Sequence, residues 1–131
     1  MSICWRNLMF CCILYNSCVA ERSVYTQQLA HAGQIYLILK EYARVHQGMT
    51  PKGFEAREFL DYINNESLEA YFVSIDPKTK SRGSWELLAK GQPLDSSSPQ
   101  PLFSSPRFLH DNRISYIVGL MNGQIEVVVV K

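Results

Sequence analysis

The amino-acid sequence predicts an α+β domain in which a long N-terminal helix packs on a small antiparallel sheet of three to four strands. Three observations predict it. Residues 21–47 contain no proline and place apolar residues at helical spacing. After residue 70 the apolar runs become short and rich in β-branched and aromatic residues, as in strands. Near the C-terminus two such runs flank Asn122-Gly123, a pair typical of a tight hairpin.

The composition narrows the class of protein. The chain has 131 residues, 47% of them hydrophobic and 19% charged, which is typical of one folded globular domain. Lysine and arginine number 13 against 12 acidic residues. Because nucleic-acid-binding proteins usually carry a basic surplus, we expect no nucleic-acid partner. No body segment has about 20 uncharged apolar residues, which excludes a multi-span membrane protein.

Residues 1–20 are typical of a secretory signal peptide. Arg6 supplies a positive charge, residues 8–15 form a short apolar run, and small residues end at Ala20 as a cleavage site requires. We expect residues 21–131 to form a single domain that is exported to the periplasm or secreted. One alternative is an uncleaved inner-membrane anchor over 1–20, and another is lipid attachment at Cys18. All four cysteines precede residue 19, so residues 21–131 lack thiol chemistry.

The helical elements are predicted from spacing and from their end signals. The first helix runs from residue 21 to about 47, with Gly48 as its C-terminal cap and Pro51 preventing continuation. A second, shorter helix is expected over 53–64. Its buried side is formed by five apolar residues, Phe54, Phe59, Leu60, Tyr62 and Ile63, while Glu55, Arg57, Glu58 and Asp61 form a solvated face.

The strands follow in the second half of the chain. We expect strands at 70–75 and 85–89, a polar turn at 76–83, a proline-rich irregular loop at 91–101 and a short strand at 102–103. The closing hairpin joins 114–120 to 125–130 through a type I′ turn at Asn122-Gly123. The valine run at 127–130 does not alternate with polar residues. It is either covered on both faces or an exposed edge that something must protect.

A family resemblance rests on two stretches of this sequence. Gln27-Gln28-Leu29 leads to Tyr42-Ala43-Arg44 and then Gly48, with Pro51 soon after, and His110 precedes a hairpin with Asn122-Gly123 at its turn. This layout resembles the bacterial pseudopilin-like proteins, which are related to type IV pilins and to the major pseudopilin of type II secretion. The resemblance implies a pilin-like helix, a small sheet, a closing hairpin and a structural role through protein–protein contacts.

The chain departs from the pilin pattern at its N-terminus. A prepilin has a glycine cleavage site followed by Phe-Thr-x-x-Glu and then its apolar segment, whereas here the apolar segment precedes the cleavage site at Ala20. The resemblance therefore implies a pilin-like globular head without the usual filament anchor. Only Asp95 and Asp111, with Asn112, lie where some relatives hold calcium, so we expect no calcium site.

No catalytic, cofactor-binding or metal-binding residue is predicted. His31 and His46 are too far apart on one helix to share a metal ion. His110-Asp111 lacks a paired nucleophile, and the serines at 96–98 lack the context of a catalytic elbow. The sequence therefore does not indicate an enzyme or a cofactor.

The function predicted from these features is that of an exported, non-catalytic interaction protein. Its partners are expected to be other proteins, either further copies of itself or components of a secretion or pilus apparatus. One alternative is a small secreted binding module that uses the 91–106 loop. Another is an envelope enzyme, which would need a perturbed carboxylate or histidine in a pocket. The predicted interaction surface comprises Ile35, Leu39, Tyr42, Pro93 and Phe103.

Overall fold

The computed structural model describes residues 20–63, 72–75 and 82–131. The predicted leader, apart from Ala20, lies outside the described residues, as do the first part of the 70–75 strand and most of the turn after it. Helix α1 spans Ala20–Val45. In the described part of the chain, no helix is both long enough and apolar enough to span a membrane.

Helix α1 ends with the glycine cap that the sequence predicts. Gln47 and Gly48 have positive φ values of 59° and 82°, and the Gly48 N–H donates to the Ala43 carbonyl over 2.6 Å. A left-handed residue at this position satisfies helix-end carbonyls, and glycine adopts it without steric cost.

The strands form one main sheet and a separate two-stranded ribbon. The ribbon pairs β1 (Val73–Ile75) with β2 (Arg82–Ser84). The main antiparallel sheet contains five strands: β3 (Glu86–Leu87), β4 (Pro101–Ser104), β5 (Phe108–His110), β6 (Arg113–Leu120) and β7 (Ile125–Val129).

Strand β6 is the centre of the main sheet. Strand β7 pairs along one edge of β6, whereas β4 and β5 lie end to end along the other edge, and β3 lies beyond β4. Between β4 and β5 the chain bulges. There the Ser105 N–H donates to the Ile117 carbonyl and the Ile117 N–H donates to the Ser105 hydroxyl, both over 2.8 Å. The sheet is thus four strands wide.

Helix α1 packs on this sheet, chiefly against β6 and β5. Its inward face carries five buried residues, Ala32, Ile35, Leu39, Tyr42 and Ala43. Next to Ile35, the Tyr36 hydroxyl donates to the Met121 carbonyl over 2.9 Å, which ties the helix to the β6–β7 turn. Burial raises the pKa of Tyr36. The predicted α+β class, with a helix on a small antiparallel sheet, is confirmed.

The predicted second helix is shorter and of a different type. Residues Arg57–Tyr62 form a 3-10 helix that starts without a side-chain cap and ends at the extended residue Ile63. With three residues per turn, Phe59 points inward and is buried, whereas Leu60 points away and is 37% exposed. The burial predicted for Leu60 is therefore wrong. The segment is held by ring contacts, since Phe59 lies 5.6 Å from Phe54 between ring centroids.

The left-handed turns also differ from the prediction. At the β6–β7 turn only Gly123 has positive φ, and the Leu120 N–H donates to the Gln124 carbonyl over 2.9 Å. This is a three-residue loop closed by a left-handed glycine, not a type I′ turn. Two consecutive left-handed residues occur instead at Asp111 and Asn112, between β5 and β6. Aspartate and asparagine tolerate this conformation better than other non-glycine residues.

Candidate binding cleft

The structure buries four of the five residues predicted to form an interaction surface. Ile35, Leu39 and Phe103 are fully buried and Tyr42 is 5% exposed, whereas Pro93 is exposed. The apolar stripe of α1 that carries Ile35, Leu39 and Tyr42 faces the sheet of its own domain. These four residues are corrected to core positions, and only Pro93 lies on the surface.

Pro93 lies on a segment that is hydrogen-bonded to the residues that follow α1. It forms an isolated antiparallel bridge with Met49, and the Leu94 N–H donates to the Gly48 carbonyl over 2.8 Å. The buried Thr50 hydroxyl accepts from the Gln92 N–H over 3.0 Å and lies 2.7 Å from the Ala89 carbonyl, to which it donates. The proline-rich loop is therefore ordered at its start.

These hydrogen bonds hold residues 52–56 near residues 85–90, and a cleft lies between the two segments. The cleft has a volume of about 400 Å³, which lies in the range of ligand-binding clefts. Its buried lining residues are Phe54, Trp85 and Leu87. The Trp85 indole N–H donates to the Ser74 hydroxyl over 3.1 Å, so the ring is fixed in place. The floor of the cleft is thus apolar.

The rim of the cleft is charged but balanced. Lys52 and Glu55 lie on one side, Glu86 and Lys90 on the other, and all four are exposed. Two positive and two negative side chains give the rim no net charge. An apolar floor with a balanced rim favours a ligand that carries both apolar and charged groups.

One wall of the cleft is an edge of the main sheet. Among the residues that the structure describes, strand β3 pairs with β4 alone, and the Leu88 N–H donates to the Leu102 carbonyl over 2.8 Å. Because hydrogen-bonding direction alternates along an antiparallel strand, Leu87 directs its main-chain N–H and C=O away from β4. The same parity is seen at Trp85, whose N–H donates outward to the Phe72 carbonyl over 2.7 Å. Leu87 thus directs its N–H and C=O to the side on which Phe72 lies.

The three histidines lie in separate aromatic contacts. His31 lies 5.3 Å from Trp85, His46 stacks on Tyr42 at 3.8 Å, and His110 stacks on Tyr25 at 4.4 Å, all between ring centroids. Across the residues that the structure describes, no three metal-ligating side chains form a group.

Three further polar contacts involve acidic side chains. The His110 Nε2 atom is 3.5 Å from the Asp111 carboxylate. The Tyr42 hydroxyl donates to the Glu58 carboxylate over 3.2 Å. Burial, followed by this hydrogen bond, raises the pKa of Tyr42. Asp95, at the tip of the proline-rich loop, accepts from the Ser97 hydroxyl and N–H, and these bonds lower its pKa.

Comparison of the chain with family models, with curated proteins and with solved structures gave no match. The resemblance to pseudopilin-like proteins therefore stays a prediction.

The sequence reasoning missed the cleft. It assigned Glu55 to a solvated helix face and residues 85–89 to a strand, and nothing in either stretch indicates that they meet. The one local signal near the cleft is Pro51 followed by Gly53, a pair that is typical of a turn.

Proposed function

We propose that this protein is a non-catalytic interaction domain that binds an extended segment of a partner protein in the cleft between residues 52–56 and 85–90. The observation that carries the proposal is the buried apolar floor of Phe54 and Trp85 beneath a rim that carries charges of both signs. An extended peptide can add to a sheet edge through main-chain hydrogen bonds while alternate side chains enter pockets. Here Phe54 and Trp85 would receive the apolar side chain.

The charges on the rim bear on which partner fits. A polyanion such as nucleic acid needs a positive surplus, whereas Lys52 and Lys90 are offset by Glu55 and Glu86. Peptides carry charges of both signs beside apolar residues, so a protein segment suits this rim better. The predicted leader at 1–20 supports export of the domain, and the pseudopilin-like layout supports a role in an envelope assembly.

The proposal can be tested with random peptides displayed on phage, selected on the immobilised protein. The paired substitution Lys52→Glu and Lys90→Glu changes the rim from neutral to strongly acidic. We expect enriched peptides to shift the amide resonances of residues 52–56 and 85–90, and to lose binding in the paired variant. Lys40→Glu is the matched control, because Lys40 is exposed on α1 outside the cleft.

Two outcomes would contradict the proposal. One is the absence of any enriched peptide. The other is a set of enriched peptides whose shifts fall on residues 91–106, which would favour the loop as the binding surface.

A further inference from the structure

Strand β7 is an exposed edge of the main sheet. Its five residues, Ile125–Val129, are half-buried or exposed, and Val129 is 43% exposed. The unbroken valine run is therefore not covered on both faces. Within the described residues, β7 pairs with β6 alone, so its outer side presents main-chain groups without a strand partner.

The hydrogen-bonding direction along β7 can be read from its two ends. The Leu120 N–H donates to the Gln124 carbonyl over 2.9 Å and the Val130 N–H donates to the Ile114 carbonyl over 2.8 Å. Even-numbered residues of β7 therefore bond to β6. By the alternation of an antiparallel ladder, the odd-numbered residues direct their N–H and C=O groups outward.

Within the described residues, this edge lacks three of the usual devices that prevent strand pairing. Natural edges are blocked by proline, by a bulge or by inward charges, but β7 contains no proline and its register with β6 is unbroken. Its single charge is Glu126. An unprotected edge rich in β-branched residues is a template for another strand.

We propose that β7 pairs antiparallel with β7 of a second copy of this chain, about a two-fold axis that passes between the two Val127 residues. In this register Val127 faces its own counterpart, and Ile125 faces Val129 of the other copy. Each odd-numbered residue then bonds to an odd-numbered residue, so all the outward N–H and C=O groups of β7 are satisfied. Glu126 faces Val128 of the other copy, so like charges are not directly opposed. An isologous two-fold contact requires this self-complementarity.

The side chains support the same register. Ile125, Val127 and Val129 lie on the face that carries α1, because they pair with Gly119, Ile117 and Ser115. Pairs of β-branched residues across strands stabilise sheets. The resulting sheet would continue through both copies with the two α1 helices on one face. This proposal does not rest on the cleft, which lies at the opposite edge of the sheet.

The test is residue-resolved amide hydrogen exchange of the full chain at low and at high protein concentration. We expect the amides of Glu126 and Val128 to be protected at both concentrations, because β6 holds them. The amides of Val127 and Val129 should become protected only as concentration rises. Exchange at these odd-numbered amides that stays fast at every concentration would overturn the proposal. Protection that is independent of concentration would also overturn it, because a segment of the same chain would then occupy the edge.

A pair of variants adds a second measurement. Val129→Pro removes one outward N–H from each copy without touching a bond to β6, and proline is tolerated at such edge positions. We expect it to weaken self-association by about 10- to 30-fold, from two lost hydrogen bonds per dimer. Val129→Thr keeps the N–H and the β-branch and should change the affinity by less than about threefold. Sedimentation gives the affinities and circular dichroism checks the fold. Equal affinities for the two folded variants would refute the pairing, and if Val129→Pro does not fold, the exchange pattern decides alone.

Discussion

Gly119 is the position where one added methyl group should disturb the core most. It lies in the middle of the sheet on β6, directly under the ring of Phe103. A Cβ built on Gly119 would lie within 2.8 Å of three ring carbons of Phe103. Phe103 is fully buried and is packed against Trp85, with ring centroids 6.0 Å apart. The ring therefore has no open space into which it can turn.

The magnitude follows from the size of the overlap. To restore an ordinary carbon–carbon contact the ring must move by about 1 Å, and interiors are too densely packed to absorb this locally. Overpacked cores lose about 1–3 kcal/mol. Because the clash involves a fully buried ring, we expect Gly119→Ala to cost about 2–3 kcal/mol, near the upper end of that range. The midpoint temperature of thermal unfolding should fall by roughly 8–12 °C.

Phe103→Leu provides the control, because leucine lacks the ring carbons that the new Cβ would meet. Alone it should cost about 1–2 kcal/mol through the cavity it leaves. Combined with Gly119→Ala it should cost at least about 1 kcal/mol less than the two single changes together. Denaturant unfolding of the four proteins measures this coupling. Additive costs, or a neutral Gly119→Ala, would refute the reasoning that the ring and the glycine share one space.

Three other predictions follow from contacts described above. Thr50→Val should cost about 1–3 kcal/mol in denaturant unfolding, because it leaves buried main-chain groups unpaired, whereas Thr50→Ser should keep most of that stability; similar losses in both would contradict this role for the hydroxyl. Gly33→Ala should stabilise the protein by about 0.5–1 kcal/mol, whereas Gly48→Ala should destabilise it by about 1–2 kcal/mol. An added methyl group would meet no neighbour within 4 Å at either site, but only Gly48 has a positive φ. Effects of the same sign in the two variants would refute this reasoning. The pKa values of Tyr36 and Tyr42 are raised by burial, so their contribution to stability is complete below about pH 10, the unfolded value, and is lost as pH rises through the folded values. The free energy of unfolding, measured across this alkaline range, should fall less in the double variant with Tyr36→Phe and Tyr42→Phe than in the unchanged protein. An equal fall would contradict the assignment.

The sequence predicted the elements whose signals are long or local. Helix α1 has many turns of consistent spacing, and its Gly48 cap was found because only a few residues decide it. The β6–β7 hairpin was found because two β-branched runs flank Asn122-Gly123. The type of its turn was not found. Asn-Gly fits both a two-residue and a three-residue loop, and the choice depends on strand register and on Tyr36 packing against Gly123.

The interaction surface could not be predicted because burial is a tertiary property. An apolar stripe on a helix shows that the stripe is covered, but it does not show by what. Ile35 and Leu39 were assigned to a partner, and the sheet of the same domain covers them instead. The cleft was missed for a related reason. Its two sides are more than 25 residues apart in the sequence, and the Thr50 hydroxyl that holds them together is one buried polar group without a motif.

The two outer edges of the main sheet suggest a division of roles. At β3 the edge borders a cleft with an apolar floor, to which we assign the binding of a partner segment. At β7 the edge is open and carries a run of β-branched residues that match their own copy. Since β4 and β6 separate the two edges, occupation of one should leave the other accessible. Val129→Pro should therefore weaken the pairing of copies while leaving peptide binding at the cleft unchanged, and a weakening of both together would mean that the edges are not independent.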